Sequence, residues 1–343
     1  MRVLVTGGTG YVGAHTVAAL VDAGHDVRLL VRRPERVAAT IGALGVDTEK
    51  LDLVEGDMVD ADAVGHAVNG VDAVVHAAAV VAALDRKHAE AALHVNVDGA
   101  RTVIDAAIAA GCDPVVHVSS IAALFTPEIE LLTVDLPPVV DAANPYTRSK
   151  ALADQLARER QDSGAPVVIV YPGGVCGPPV GDLVGEAATG LESILKIGFL
   201  AVTGGGINVI DARDLGLIFA AVLQPGRGPR RYMAGGSLVD LAGIVEVLRE
   251  STGRRLIAPR APGSVYRVLG RAVDRVRHVI PFDSVFTAEA MELLTLAKDT
   301  DDSAVHDDLG ITYRDPRETL ATSLRGLYTT GRLSPRQAGS LAT

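Results

Sequence analysis

Two stretches hold residues whose types and spacing could do chemistry. In Asn144-Pro145-Tyr146-Thr147-Arg148-Ser149-Lys150 a phenol and an ammonium lie four positions apart. Asn144 is a good helix N-cap and Pro145 suits the first helical position, so Tyr146 and Lys150 share one helix face, a turn apart. A cation beside a phenol favours its ionised form and makes tyrosine a usable acid or base near neutral pH. A Tyr-x-x-x-Lys pair alone is ordinary helix surface; it gains meaning from its company. Ser119-Ser120 ends a β-branched run. A hydroxyl leaving the C-terminal end of a parallel strand faces the crevice where ligands bind, and can donate to a carbonyl oxygen as charge develops there. The plain alternative, for one serine of the pair, is loop capping.

The second stretch is Thr6-Gly7-Gly8-Thr9-Gly10-Tyr11-Val12-Gly13. Gly8, Gly10 and Gly13 satisfy G-x-G-x-x-G, and Gly7, Gly10 and Gly13 satisfy G-x-x-G-x-x-G. A strand precedes the turn and a helix follows it, the context a dinucleotide motif requires. Glycine lets the backbone turn tightly and approach a pyrophosphate, which the free N–H groups of the helix N-terminus then hold. A purely structural turn is the competing reading.

The tip of the second strand bears on which dinucleotide. An acid there takes the ribose hydroxyls of NAD, whereas arginine meets the 2′-phosphate of NADP. Here the chain reads Val31-Arg32-Arg33-Pro34, with no acid. Charge-assisted bonds from Arg32, helped by Arg33, favour NADP(H), with NAD(H) second; two solvated surface arginines are the alternative. Glu55-Gly56-Asp57-Met58 ends the third strand, where Asp57 can take an adenine amino group or simply shape a loop. His76-Ala77-Ala78-Ala79 ends the fourth, its small residues permitting close approach of the cofactor.

Positioning these groups takes strands that alternate with helices. Val3–Val5, Val27–Val31, Leu51–Val54, Ala73–His76, Val115–Ser119 and Val167–Tyr171 read as strands; Tyr11–Ala23, Ala89–Ala110 and Tyr146–Ser163 read as helices, with Gly24 stopping the first. That rhythm implies right-handed crossovers and a parallel sheet covered on both faces: an α/β, doubly wound Rossmann fold. After Tyr171 the rhythm breaks in a Pro/Gly-rich bend. Ala201–Thr203 and Asn208–Ile210 read as short strands and Asp214–Leu223 as a helix returning to the sheet. The expected division is a dinucleotide domain over 1–171, rejoined by 205–223, a smaller mixed α/β substrate lobe over 172–204 and 224–330, and a tail over 331–343.

Composition closes off other classes. The 343 residues are 48% hydrophobic and 22% charged, enough apolar surface for a full core and too much for a disordered chain. A net charge of −10 repels polyanions, so nucleic acid is not an expected partner. Nine histidines show no ligand spacing, so no metal is expected, and two cysteines make no disulfide framework. No run approaches the roughly 18 apolar residues of a membrane span, and no signal stretch opens the chain, so the expected location is cytoplasmic. Ser264–Ile280 sets an apolar stripe against Arg267, Arg271, Arg275 and Arg277. Three readings compete for it: a docked helix, a lid, or peripheral membrane contact through 264–280.

Taken together, Thr6–Gly13, Glu55–Met58, His76–Ala79, Asn96-Val97-Asp98-Gly99, Val118-Ser119-Ser120, Tyr146–Lys150, Pro172–Pro178 and Val209–Asp214 resemble the extended short-chain dehydrogenase/reductases of the NAD-dependent epimerase/dehydratase superfamily. Within them the chain is most similar to the dihydroflavonol reductase and 3β-hydroxysteroid dehydrogenase branch. The resemblance spans at least residues 1–220. It implies catalytic Ser120, Tyr146 and Lys150, with Asn96 matching the family's asparagine on the fourth helix. It also implies cofactor contacts from Gly7, Thr9, Gly10, Tyr11, Val12, Gly13, Arg32, Arg33, Asp57, Met58, His76, Ala77, Ala78, Lys150, Pro172 and Val175. Two positions depart from the pattern: Tyr171 precedes Pro172 where many relatives have arginine, and Cys176 replaces a common tyrosine. Both departures bear on the substrate contacts the resemblance implies and not on the hydride chemistry.

The expected activity is NADP(H)-dependent hydride transfer to a ketone, or from a secondary alcohol, of an apolar small molecule, with a homodimer as a further expectation. One rival is an NAD-dependent sugar-nucleotide epimerase or dehydratase, which usually wants an acid where Arg32 stands. The other is a non-catalytic NAD(P) sensor, which would need neither Ser120, Tyr146 nor Lys150.

Overall fold

The β-branched runs form strands because a residue buried on both sheet faces costs little when it is valine, leucine or isoleucine. The computed structural model describes residues 1–80, 86–279 and 287–342. Its strands are β1 (Arg2–Thr6), β2 (Asp26–Val31), β3 (Asp52–Glu55), β4 (Ala73–His76), β5 (Val115–Val118), β6 (Val167–Pro172), β7 (Gly174–Cys176), β8 (Gly206–Asp211), β9 (Arg230–Ala234) and β10 (Ser237–Asp240). The helices of the first half are α1 (Tyr11–Asp22), α2 (Arg36–Thr40), α3 (Ala61–Val68), α4 (Arg86–Ala109) and α5 (Pro145–Asp162). Those of the second half are α6 (Glu186–Ile197), α7 (Ala212–Ala221), α8 (Leu241–Thr252), α9 (Gly263–Val279), α10 (Ala288–Thr295), α11 (Ser303–Leu309), α12 (Pro316–Thr329) and α13 (Pro335–Ala338).

Seven strands make one parallel sheet in the order β3-β2-β1-β4-β5-β6-β9. The period of two sorts its side chains. Val3 and Val5 enter a layer with Ala14, Val17 and Leu20 of α1 and with Ile218 and Phe219 of α7. Leu4 and Val74 face the opposite layer, with Val64 of α3, Ile104 of α4 and Leu156 of α5. The order reverses between β1 and β4, so the C-terminal ends of these strands open the crevice in which such folds bind ligands.

All six expected strands and the α/β doubly wound class are present. Four details differ from expectation. A seventh strand, β9, joins the sheet beside β6 from within the stretch expected to form the substrate lobe; its two opening arginines mask the buried Tyr232 and Met233 that follow. β8 pairs with β7 and β10 in a separate three-stranded sheet, so the rejoining element is α7 alone. α7 packs closely on α1 because Gly216 has no side chain: a Cβ there would lie 2.8 Å from the His15 carbonyl oxygen. Ala201–Thr203 makes no strand, only a single bridge from Val202 to Arg260. The expected tail is packed structure, with Leu333 and Ala338 buried in the second lobe's core.

Candidate active site

The glycine turn forms a tight cradle. Gly7 adopts φ +76, a left-handed conformation, and a Cβ there would lie 2.6 Å from Ala78 Cα, while one on Gly13 would lie 2.1 Å from the Gly7 carbonyl oxygen. Small residues are therefore required where β1 and β4 end together. Gly10 is the N-cap of α1, and no side chain caps that helix. Among the described residues no side chain caps the first-turn N–H groups of Tyr11, Val12 and Gly13, and an open helix terminus suits a pyrophosphate. Thr9 is partly exposed on the same turn. The Tyr11 ring turns away from it, against the Cβ positions of Gly177 and Gly185, so only its backbone is available to a cofactor there.

Arg32 and Arg33 follow β2 and are exposed. Arg32 Nη1 is 3.8 Å from Asp57 Oδ2 at the end of β3; such an exposed contact is weak and leaves the guanidinium free to meet a phosphate. Met58 is buried against Gly99 of α4, so it shapes the floor of this end of the crevice. Ala77 and Ala78 are partly exposed beside Gly7. His76 is buried, its Nδ1 2.7 Å from the Thr6 hydroxyl, and so supports the cradle from below. Pro172 is buried at the end of β6, and Val175 pairs with Ile210. Glycine turn, open helix terminus and paired arginines together fit a dinucleotide.

Ser120, Tyr146 and Lys150 converge at the far end of the same crevice. Asn144 caps α5 by accepting the Tyr146 and Thr147 N–H groups at 2.8 and 3.3 Å, with Pro145 opening the helix. The Ser120 side chain hydrogen-bonds the Tyr146 phenol and also caps a 3-10 turn, accepting the Ala122 N–H at 3.2 Å. Capping and the phenol contact thus fall on the same serine. Lys150 is buried and its Nζ donates to the Val118 carbonyl oxygen at 3.0 Å.

The electrostatics differ from expectation in one respect. Burial, then the Glu186 carboxylate, push the Tyr146 phenol well above its ordinary pKa, and the Ser120 hydrogen bond only partly offsets them. Lys150 is pulled down to about 8 by burial, against the opposing pull of Glu186 and Asp154. The phenol is therefore held protonated near neutral pH, in place of the easier ionisation expected from a neighbouring cation.

Asn96 does not reach toward the phenol. Its Oδ1 accepts the Val80 N–H at 2.7 Å, and its Nδ2 donates to the Val80 oxygen at 3.0 Å and to Ser149 Oγ at 3.1 Å. Ser149 Oγ in turn donates to the Tyr146 carbonyl oxygen at 2.8 Å. This chain ties the segment after β4 to the first turn of α5, and so positions the helix that carries Tyr146.

Several groups escaped the motif reading. Asp154 and Arg158 extend the Tyr146–Lys150 face by two more turns, at the same spacing of four. Asp154 is fully buried, with Oδ2 2.8 Å from Arg158 Nε; Arg158 Nη2 donates to the Tyr171 hydroxyl at 2.9 Å and to the Val134 oxygen at 3.1 Å. The departure at Tyr171 therefore answers Arg158 inside the protein, and Cys176 is likewise buried near Ser323, its thiol pushed up to about 12. Both side chains are buried, so these two departures are accommodated inside the protein. Glu186, the first residue of α6, keeps exposed surface, and surrounding protein raises its pKa while Lys150 lowers it. The repeat of four was legible in the sequence; Glu186 had no local signal.

A doubly wound sheet with this glycine cradle and a Ser–Tyr–Lys convergence defines an extended short-chain dehydrogenase/reductase. The chain belongs to the NAD dependent epimerase/dehydratase family, which it matches over residues 3–234, and is an enzyme of that family. It is 28% identical over 338 residues to "Sterol demethylase protein B" of Methylococcus capsulatus, covering 94% of this chain and 97% of that protein. It is 32% identical over 269 residues to a "Putative dihydroflavonol 4-reductase" of Synechocystis, covering 75% and 73%. Among solved structures it is similar to gox2253, with a TM-score of 0.78 at 22% identity over 97% of this chain and 99% of that one, a likeness of fold.

Proposed function

We propose that this enzyme is an NADP(H)-dependent reductase that interconverts a ketone and a secondary alcohol on an apolar small molecule. The observation that carries the reading is the Tyr146 phenol, held by Ser120 and set beside the buried Lys150 at the sheet's crevice. A bound nicotinamide would supply or take up the hydride. Because burial holds the phenol protonated across the working pH range, Tyr146 serves as the proton donor to the oxygen of a carbonyl under reduction. Ser120 orients that oxygen, and Lys150, anchored on Val118, holds the cofactor ribose and keeps positive charge near the developing alkoxide. Arg32 and Arg33 take the 2′-phosphate, which favours NADP(H) over NAD(H). The name of the Synechocystis relative supports reductase chemistry on an aromatic, largely apolar substrate.

The test combines calorimetric titration with turnover. NADPH should bind the wild-type protein more tightly than NADH. The double change Arg32→Ala, Arg33→Ala should weaken NADPH by roughly 30-fold while moving NADH by no more than about threefold. Tyr146→Phe should lower ketone reduction by about 100-fold or more, with NADPH affinity nearly unchanged. Equal losses for both cofactors would reject the phosphate assignment. Undiminished turnover in Tyr146→Phe would reject the mechanism.

A further inference from the structure

Among the described residues helix α9 is docked on one side, and the side it leaves open is apolar. Tyr266 is buried and its hydroxyl donates to the Ala201 oxygen at 2.5 Å. Gly270 lies so close to α10 that a Cβ would come within 2.7 Å of the Thr287 oxygen, and Asp274 Oδ2 accepts the Ala288 N–H at 2.8 Å. Those three residues recur every four positions and make the inner face. The opposite face carries Val265, Val268, Leu269, Ala272 and Val276, at spacings that align them in one stripe. All five are exposed, and the four large ones retain 55%, 61%, 48% and 49% of their surface. A docked amphipathic helix should point such residues inward; this one points them out.

Arginine flanks the stripe. Arg267 is used internally, donating to Thr295 Oγ1 at 3.1 Å. Arg271 and Arg275, a turn apart along the stripe's edge, are exposed, and neither is paired with a carboxylate among the described residues. Two uncompensated cations beside an apolar ridge, on a chain of net charge −10, are complementary to a surface that is both anionic and apolar. A second copy of this chain fits less well. Pairing two such stripes antiparallel about a two-fold axis would set both arginine rows on the same side, where they repel.

We propose that the outer face of α9 docks on the surface of an anionic lipid bilayer, with Val265, Val268, Leu269 and Val276 entering the headgroup–acyl boundary and Arg271 and Arg275 meeting lipid phosphates. The helix then lies in the interface plane and does not cross it. This inference stands on the exposed stripe and is independent of the reductase reading.

Sedimentation with phosphatidylcholine vesicles, with and without phosphatidylglycerol, tests it on the whole protein. The wild type should bind the anionic vesicles and lose binding as salt rises. Arg271→Gln with Arg275→Gln should weaken partitioning by roughly 25-fold, about fivefold for each arginine. Val268→Asp with Leu269→Asp should abolish binding, while both variants keep wild-type NADPH affinity, since the changed residues are surface ones. Absence of wild-type binding to anionic vesicles, or equal binding by the wild type and both variants, would overturn the proposal. So would a concentration-dependent dimer in sedimentation velocity that the aspartate variant dissociates, because that would assign the stripe to a second copy.

Discussion

Asp154 stands one helical turn from Lys150 on one side and one turn from Arg158 on the other, and its burial makes that position consequential. Lys150 sits near 8 because burial lowers it while Glu186 and Asp154 hold it up; His76 and His117 beneath it are neutral and lend no charge near pH 7. Neutralising Asp154 removes one of the two supports, so the lysine must lose its proton at lower pH. On the proposed mechanism reduction needs the ammonium, so activity should be present below the lysine pKa and lost above it. In Asp154→Asn the basic limb of the pH–rate profile for reduction should therefore move down by roughly one pH unit. Asp154→Glu should restore it. A profile that stays in place while the overall rate falls would reduce Asp154 to a structural partner of Arg158. The proposed Ser120, Tyr146 and Lys150 site was legible in the sequence because each residue belongs to a motif with a local spacing. Asn96 was found by its motif, but its task was not, since only the fold brings Ser149 and Val80 to it. The resemblance assigns Ser120 to the site and capping is left to one serine of the pair; in the structure Ser120 both caps the 3-10 turn and meets the Tyr146 phenol.

At the scale of elements, the alternation of valine-rich runs and 3.6-period segments located the first six strands to within a residue or two. β9 was missed because charge at its start hid two buried residues, and the small sheet because β7 is only three residues long. Strand pairing also creates a feature that no local pattern displays. His76 of β4 and His117 of β5 are register partners, buried, with rings stacked 5.8 Å apart. Burial depresses both, His76 to about 3, and neither His117 ring nitrogen has a hydrogen-bond partner among the described residues. In the unfolded chain each would bind a proton below about 6.5. The unfolded state thus holds more protons between that pH and the folded pKa, and stability falls as pH drops through the window. Each histidine should contribute a slope of about 1.4 kcal/mol per pH unit once well below 6.5. His117→Leu removes an imidazole whose nitrogens bond nothing, so urea denaturation should find it at least as stable as wild type at pH 7. Between pH 6 and pH 5 its stability should decline less steeply than wild type, by about 1 kcal/mol. Parallel slopes for the two proteins would show that His117 is protonated in the native state.

For the whole molecule, what joins the two lobes is a polar seam rather than a hinge. Asp211 ends β8 in the small sheet and caps α7; it accepts from Arg213 through Nε at 2.9 Å and Nη2 at 2.8 Å, and from Thr319 Oγ1 of α12 at 2.9 Å. One turn on, the buried Asp214 accepts the Arg314 N–H at 2.8 Å and pairs with its guanidinium. Ser323 Oγ accepts the Gly177 N–H at 2.7 Å, tying α12 to the end of β7 within the second lobe. Because α7 packs on α1 beneath the glycine cradle, these bonds couple the dinucleotide end of the crevice to the lobe that would cover a substrate. Buried carboxylates in this seam make separate unfolding costly, since parting α7 from the α12 segment would take the Thr319 hydroxyl from Asp211 and leave the buried Asp214 without Arg314. Calorimetry of the wild type should therefore show one cooperative transition. Asp214→Ala removes the acceptor of both Arg314 contacts and should cost about 3–5 kcal/mol, which for a chain of this length lowers Tm by about 4–7 °C. If the seam couples the lobes as argued, the variant should also lose part of the Tm increase expected from saturating NADPH in the wild type, because a cofactor at the cradle would no longer stabilise α12 and its neighbours to the same degree. Two resolved transitions in the wild type, or an undiminished NADPH-induced shift in the variant, would mean that the lobes fold and respond independently.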